Sequence, residues 1–253
     1  MVITFPHLGQ TLHADLARPL DISLPLTPGP EHVGAFFIPP MTIEPLRIGD
    51  FVGDVLQGAP CNVNDVRFNP HGNGTHTETV GHISREKESI HECLKRFWFL
   101  ADVVSVQPSR LFDDWVIMPD QFDQVLSDPQ EALIIRTRPN DMAKRSRKYS
   151  GTNPIYLHHE AAEKIAEAGV RHLLIDLPSV DKEEDGGRLL AHRAFWRYPD
   201  ATRSEATITE LIYVPDEIQD GRYLLNLQII SIMNDASPSK PVLYRLFHTP
   251  GQL

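Results

Sequence analysis

The feature that most constrains the fold is a helical pattern followed directly by an apolar strand pattern. Apolar side chains recur at helical spacing between residues 157 and 169, and Gly169 is placed to end the helix. Residues 171–179, RHLLIDLPS, then form a buried strand pattern that ends in a proline turn. A helix followed closely by such a strand predicts packed helix and sheet layers, the α/β class. The helical stripe consists of Leu157, Ala161, Ile165 and Ala168.

The rest of the chain adds shorter elements around this unit. Residues 1–60 are rich in proline and glycine and predict short strands and loops. No internal repeat and no break in composition is visible, which predicts one domain over residues 1–253. The further predicted elements are helices over 84–96 and 120–126 and strands over 97–106 and 132–137.

Composition excludes several classes of partner. The net charge is −10 with a sequence pI near 5.6, which disfavours nucleic acid and anionic membrane surfaces. The one basic cluster, KRSRK at residues 144–148, reads as a solvated loop. Two cysteines give no disulfide framework, and no apolar run approaches the ~18 residues that a membrane span needs. These patterns predict a soluble cytoplasmic protein with a small-molecule substrate.

The segment NPHGNGTHTETVGH, residues 69–82, carries the side chains of a metal site. In an extended chain from Thr75 onward, His76, Glu78 and His82 share one face because side chains alternate. His71 has the opposite parity, but the intervening glycines, free to adopt positive φ, could return it to the others. A polar glycine-rich segment is more often a surface loop. Three ligand-type side chains on one face favour a metal site instead.

A second candidate, Glu210, comes from the strand pattern ATITELIYV at residues 206–214. Alternation places Glu210 on the apolar face of this strand. A buried carboxylate needs a partner, because removing it from water alone costs several kcal/mol or more. The alternatives are a metal ion and an ion pair with Arg193 or Arg203.

The segment at 69–82 resembles the signature HxGTHxDxPxH of the cyclase family, metal-dependent hydrolases that include kynurenine formamidases and isatin hydrolases. Gly74, Thr75, His76 and His82 match this motif in register. The chain differs from it at three positions and therefore resembles a divergent branch. Glu78 replaces the usual Asp, Val80 replaces Pro, and His71 lies one residue further from Gly74 than the first family histidine.

The resemblance extends over about residues 20–245. LLIDLPSVD and NDASPSKPVL resemble later family segments, and His192 and Glu210 match the late His and Glu that complete the family's ligand set. The resemblance implies an α/β fold with a swivelling β/β/α arrangement in a single domain, and a homodimer or homotetramer. It implies five metal ligands: His71, His76, Glu78, His192 and Glu210.

Imidazole and carboxylate ligands suit Zn²⁺, Mn²⁺ or Fe²⁺, and the family implies zinc, with manganese as the alternative. Zinc-dependent relatives imply two ions that share a carboxylate, whereas manganese-dependent relatives imply one. The sequence leaves this choice open.

The chemistry implied is arylformamidase-like hydrolysis of a small amide, formamide, lactam or lactone by metal-activated water. His82 matches the remaining motif histidine, and imidazole has a suitable pKa for a general acid/base. Two alternatives stay open. One is non-hydrolytic cyclase or lyase chemistry on a carbonyl substrate, and the other is a non-catalytic homologue that binds a metal or ligand.

Overall fold

The computed structural model describes residues 1–128 and 130–248, and within them the chain forms 17 strands and four α-helices. Pro129 and residues 249–253 of the predicted domain 1–253 lie outside the described residues. The helices are α1 (Pro70–Asn73), α2 (Ile90–Cys93), α3 (His159–Glu167) and α4 (Leu190–Trp196). The strands are β1 (Val2–His7), β2 (Gln10–Asp15), β3 (Leu20–Asp21), β4 (Thr42–Pro45), β5 (Arg47–Ile48), β6 (Phe51–Val52), β7 (Asn64–Arg67), β8 (His76–Glu78), β9 (Trp98–Val106), β10 (Ser109–Leu111), β11 (Asp114–Ile117), β12 (Ala132–Thr137), β13 (Tyr156–Leu157), β14 (His172–Ile175), β15 (Thr207–Glu210), β16 (Gly221–Ile229) and β17 (Ala236–Phe247).

Seven strands of the main sheet close into a barrel. Their order is β17-β16-β9-β12-β14-β15-β8, and β8 pairs again with β17. Strands β9, β12, β14 and β15 run parallel, and the others are antiparallel to their neighbours. Short β8 completes the ring: Glu78 pairs with Ile208 on one side and with Ala236 on the other. This closure places β8, from the first half of the chain, between β15 and β17 from the second half.

The barrel wall separates two hydrophobic cores. Along β12, Leu133 and Ile135 pack in the cluster that includes α3 and α4, whereas Ala132 and Ile134 pack in the cluster that includes β16. Burial on both faces explains why the parallel strands read as continuous apolar runs. The predicted strands over 97–106 and 132–137 correspond to β9 and β12, and the α/β prediction is confirmed.

The predicted helices are shorter than their patterns. The predicted helix over 157–169 corresponds to the shorter helix α3, since Leu157 belongs to β13 instead. Gly169, with φ of 89°, follows the end of α3 as predicted. The helix over 84–96 is reduced to α2, which begins after Ser89, whose hydroxyl accepts a hydrogen bond from the His91 amide. The predicted helix over 120–126 is replaced by two separate 3₁₀ turns, Pro119–Phe122 and Val125–Ser127.

The basic cluster at 144–148 is not wholly solvated, contrary to the sequence prediction. The Lys144 side chain is buried, and its ammonium donates hydrogen bonds to Asp176 Oδ2 at 2.8 Å and to the carbonyl oxygen of Thr137 at 2.7 Å. Burial raises the pKa of Asp176 even though Lys144 lies beside it. This pair ties the cluster to the end of β14.

No helix among the described residues has the length and apolar character required to cross a membrane.

Candidate metal centre

A capped helical turn, α1, positions His71. Asn69 Oδ1 accepts a hydrogen bond from the His71 amide at 2.9 Å, and Pro70 occupies the first helical position. Gly72 does not adopt positive φ, contrary to the prediction that glycine freedom would redirect His71. A Cβ on Gly72 would lie 2.6 Å from Ile38 Cδ1, so glycine is required for close packing.

His76 and Glu78 share one face of β8 as predicted, but His82 does not lie on the strand. After Glu78 the chain turns into a 3₁₀ helix, Val80–His82, capped by the Thr79 hydroxyl. A Cβ on Gly81 would lie 2.1 Å from the carbonyl oxygen of Glu88, so the turn requires glycine. The turn, rather than strand alternation, brings His82 back toward Glu78.

Glu78 lies at the centre of the cluster and is fully buried. Its Oε1 is 3.1 Å from His192 Nε2, and its Oε2 is 3.1 Å from His71 Nδ1. His82 Nδ1 is further away, 3.9 Å from Oε2. One carboxylate therefore faces histidines from α1, from the 3₁₀ turn and from α4.

Glu210 lies at the end of β15, beside the same cluster. Its Oε2 is 3.4 Å from His76 Nε2, its Oε1 is 3.8 Å from His192 Nε2, and the Val180 amide donates to Oε1 at 2.9 Å. Leu211 follows with φ of 54°, so regular alternation stops at Glu210 instead of continuing to residue 214.

The arginine alternative for Glu210 is wrong. Arg193 Nε donates to the carbonyl oxygen of Arg188 at 3.1 Å. Arg203 donates to the carbonyl oxygens of Phe195 and Val170. The six residues singled out from the sequence therefore lie together, namely His71, His76, Glu78, His82, His192 and Glu210.

Two carboxylates that the sequence did not single out, Asp181 and Asp235, contact histidines of the cluster. Asp181 Oδ2 lies 2.6 Å from His192 Nδ1, and Asp181 also accepts hydrogen bonds from the amides of Ala191 and His192. Asp235 Oδ2 lies 3.0 Å from His71 Nε2 and 3.5 Å from His82 Nδ1. Asp181 was hidden in the acidic stretch SVDKEEDGG, which its charge made look solvated.

The mixture of imidazoles and carboxylates shifts their pKa values. Burial alone would lower the pKa of His71, but the Asp235 and Glu78 carboxylates raise it to about 10. His192 behaves in the same way, because Asp181 and Glu78 raise its pKa despite burial. The pKa of Glu78 is lowered well below its usual value: burial opposes the shift, but His82, His192 and His71 outweigh it.

The chemistry of these residues fits a divalent metal ion. His76 Nε2 and Glu78 Oε2 are buried and make no well-aligned hydrogen bond among the described residues, although Glu210 Oε2 lies 3.4 Å from His76 Nε2 and His71 Nδ1 lies 3.1 Å from Glu78 Oε2. Such atoms are costly to bury unless a ligand satisfies them. Ligand atoms within 4.8 Å of one another form three overlapping groups, and Glu78 belongs to two of them. These groups are His71, His76 and Glu78; Glu78, His82 and His192; and His71, His82 and Asp235.

A cavity of about 350 Å³ opens onto the cluster. Phe36, Ile38 and Leu189 give it an apolar side, and His82 and His192 are among the polar side chains that line it. The sequence left open whether residues 36–38 line a pocket or cover the core. Two of the three line the cavity, and Phe37 is exposed.

Most of the chain matches a known protein family. Residues 14–182 match the model of the Cyclase family, described as "Putative cyclase". The chain belongs to the Cyclase family. The match includes the whole 69–82 segment and Asp181, whereas His192, Glu210 and Asp235 follow it in the chain. The comparison with curated proteins finds no match.

Solved structures share the Cyclase-family fold at low sequence identity. A protein described as a "potential metal-dependent hydrolase with cyclase activity" is 15% identical with a TM-score of 0.65, covering 90% of this chain and 97% of that one. Isatin hydrolase A from Labrenzia aggregata is 16% identical with a TM-score of 0.65, covering 90% and 93%. A "predicted metal-dependent hydrolase" from Bacillus stearothermophilus is 17% identical with a TM-score of 0.61, covering 90% and 98%. These similarities confirm the predicted fold.

Proposed function

We propose that this protein is a metal-dependent hydrolase of a small amide, formamide, lactam or lactone. The observation that carries the proposal is the buried cluster of imidazoles and carboxylates in which two inner atoms, His76 Nε2 and Glu78 Oε2, make no well-aligned hydrogen bond. His76, Glu78, His192 and Glu210, with His71 beside the cavity, would hold the ion. Zinc is the proposed metal and manganese the alternative.

When bound, a divalent ion lowers the pKa of water from 15.7 toward about 7 and polarises a carbonyl group. We assign His76 and His192 to holding the ion, because His76 is 0% exposed and does not line the cavity, and His192 is 2% exposed with Nδ1 engaged by Asp181. The His82 side chain is 31% exposed and lines the cavity. His82 can therefore accept a proton from water on the cavity side and donate it to the leaving nitrogen or oxygen.

The cavity walls support a small substrate with an apolar part. Phe36, Ile38 and Leu189 offer apolar contacts, while Asn69 and Ser179 offer hydrogen bonds at the same cavity. The other side chains that line the cavity are polar or charged, with Lys182, Glu183 and Asp185 among them, so the apolar contact lies on one side of it. Among substrates of this class, the arylformamide type is the specific proposal.

The test is metal analysis of the purified protein, followed by turnover assays on aryl formamides and cyclic amides with and without a chelator. We expect bound zinc or manganese, hydrolysis that the chelator abolishes, and recovery on adding metal back. Stoichiometric metal without turnover of any of these substrates would contradict the hydrolase proposal and favour a metal- or ligand-binding role.

Non-hydrolytic cyclase chemistry is a second candidate, because one structural neighbour is described with both hydrolase and cyclase activity. In this case His82 would transfer a proton to or from the carbon atom next to the polarised carbonyl group. Reaction in ¹⁸O-labelled water separates the two: hydrolysis incorporates the label into the product, and cyclisation does not.

A further inference from the structure

Three histidines of the candidate metal centre each have one ring nitrogen close to an oxygen atom that belongs to neither Glu78 nor Glu210. His76 Nδ1 lies 3.0 Å from the carbonyl oxygen of Gly74, and His192 Nδ1 lies 2.6 Å from Asp181 Oδ2. His71 Nε2 lies 3.0 Å from Asp235 Oδ2. In each ring the other nitrogen faces Glu78 or Glu210, where an ion would bind.

The barrel closure fixes the position of Asp235. The next residue, Ala236, pairs with Glu78 in the β8–β17 ladder. The Thr79 amide donates to the carbonyl oxygen of Asp235 at 3.0 Å, and the Ile90 amide donates to the carbonyl oxygen of Asn234 at 2.8 Å. The same strand pairing therefore fixes the backbone position of Glu78 relative to that of Asp235.

One oxygen of Asp235 contacts two histidines with different proposed roles. Oδ2 lies 3.0 Å from His71 Nε2 and 3.5 Å from His82 Nδ1. The two imidazole rings also lie close together, with centroids 4.4 Å apart and planes inclined by 31°. The carboxylate hydrogen-bonds to His71 and makes a longer ionic contact with His82, so it faces both rings at once.

We propose that Asp235 is a positioning residue that fixes the ring orientation and tautomer of both His71 and His82. By accepting the Nε2 proton of His71, Asp235 leaves Nδ1 as the nitrogen available to a metal ion. By accepting the Nδ1 proton of His82, it leaves Nε2 as the nitrogen that exchanges a proton with substrate. The His82 part rests on the proposed function, whereas the His71 part rests on metal binding alone.

The first test measures zinc affinity of metal-free Asp235→Asn protein by competition with a chromophoric chelator. The substitution keeps the shape of the side chain and removes its charge. Loss of a hydrogen-bond partner behind a metal ligand typically weakens metal binding 10- to 100-fold, and we expect a loss in that range. The control is Asp120→Asn, an exposed carboxylate outside the cluster, which changes net charge equally and should bind zinc like the wild type. Equal affinity of the two variants would overturn the proposal.

The second test uses the unsubstituted protein and covers the case in which Asp235→Asn does not fold. Nitrogen-15 NMR of the zinc-loaded protein reports which ring nitrogen of each histidine carries the proton. We expect the proton of His71 on Nε2 and that of neutral His82 on Nδ1. A His71 ring bound to zinc through Nε2, or a neutral His82 protonated on Nε2, would overturn the assignment.

Neither measurement requires turnover. If the tautomers and the affinity loss are as expected but no substrate is hydrolysed, the proposed function fails and the role of Asp235 in metal binding stands. If hydrolysis is found but both variants bind zinc equally, Asp235 has no positioning role and the proposed function stands.

Discussion

Glu78 and His192 are 114 positions apart in the chain, yet His192 Nε2 lies 3.1 Å from Glu78 Oε1. The barrel closure produces this contact by placing β8 between β15 and β17. His192 reaches the same point from α4, where Asp181 accepts hydrogen bonds from the amides of Ala191 and His192. The proposed metal centre therefore depends on the fold as a whole, because the five proposed ligands come from both halves of the chain.

Glu78→Gln should abolish tight metal binding. Gln keeps the size of the side chain but removes the charge that faces His71 and His192. We expect zinc affinity to fall by more than about 100-fold, because losing a residue that only hydrogen-bonds to a metal ligand already costs up to that much. Glu78→Asp is the matched control, because it keeps a carboxylate and restores the residue usual in the family motif. Zinc titration of both metal-free proteins checks this, and equal binding by Glu78→Gln and wild type would contradict it.

His82→Ala should separate metal binding from turnover. We expect kcat to fall by about 10²- to 10⁴-fold, the usual contribution of a general acid/base, while metal content is retained. The control is His91→Ala in α2, an exposed histidine away from the cavity, which should leave both quantities unchanged. Loss of the metal together with activity would make His82 a ligand instead of a proton carrier.

The metal-free protein should lose stability as the pH rises above neutrality. In the folded state the pKa of His71 is raised to about 10 from 6.5, and that of His192 is also raised. Their contribution to stability is complete below pH 6.5 and disappears as the pH rises toward 10. Glu78 and Asp235 have lowered pKa values, so their contribution is lost in acid.

Thermal unfolding with a chelator present should therefore give a lower Tm at pH 9 than at pH 6, as expected from the linkage of pKa and stability. Zinc affinity should change in the opposite direction, because ligands must release protons to bind the ion. A Tm that rises with pH in the metal-free protein would contradict the stated charge states of the histidines.

Lys144→Ala should strongly destabilise the fold without touching the metal centre. It leaves the buried carboxylate of Asp176 without its cation, and breaking a buried pair in this way typically costs about 3–5 kcal/mol. Arg138→Ala, which breaks a solvent-exposed pair with Asp216, should cost far less, because exposed ion pairs are screened by water. Denaturant unfolding compares the two, and similar losses would show that the Lys144 pair contributes no more than a surface contact.

Local sequence patterns were sufficient for part of this structure. The apolar runs of β9 and β12 are read correctly because both faces of these strands are buried. The shared face of His76 and Glu78 follows from strand alternation, as predicted. The homodimer or homotetramer and the cytoplasmic location stay predictions.

Other features depended on contacts that no local pattern reveals. His82 returns to Glu78 through a turn that Gly81 permits, and Lys144 is buried because Asp176 lies across from it. Asp181 and Asp235 were missed because acidic residues in polar stretches usually face solvent. Their roles arise only from the distant histidines they contact, His192 and His71.

We expect residues distant in sequence to bind one common divalent ion or pair of ions. The most direct measurement is a crystal structure of the zinc-loaded protein with an anomalous difference map recorded at the zinc absorption edge. We expect an anomalous peak within coordination distance of His76, Glu78 and His192. A zinc-loaded crystal without a peak at this cluster, or with the ion bound only elsewhere on the surface, would contradict it.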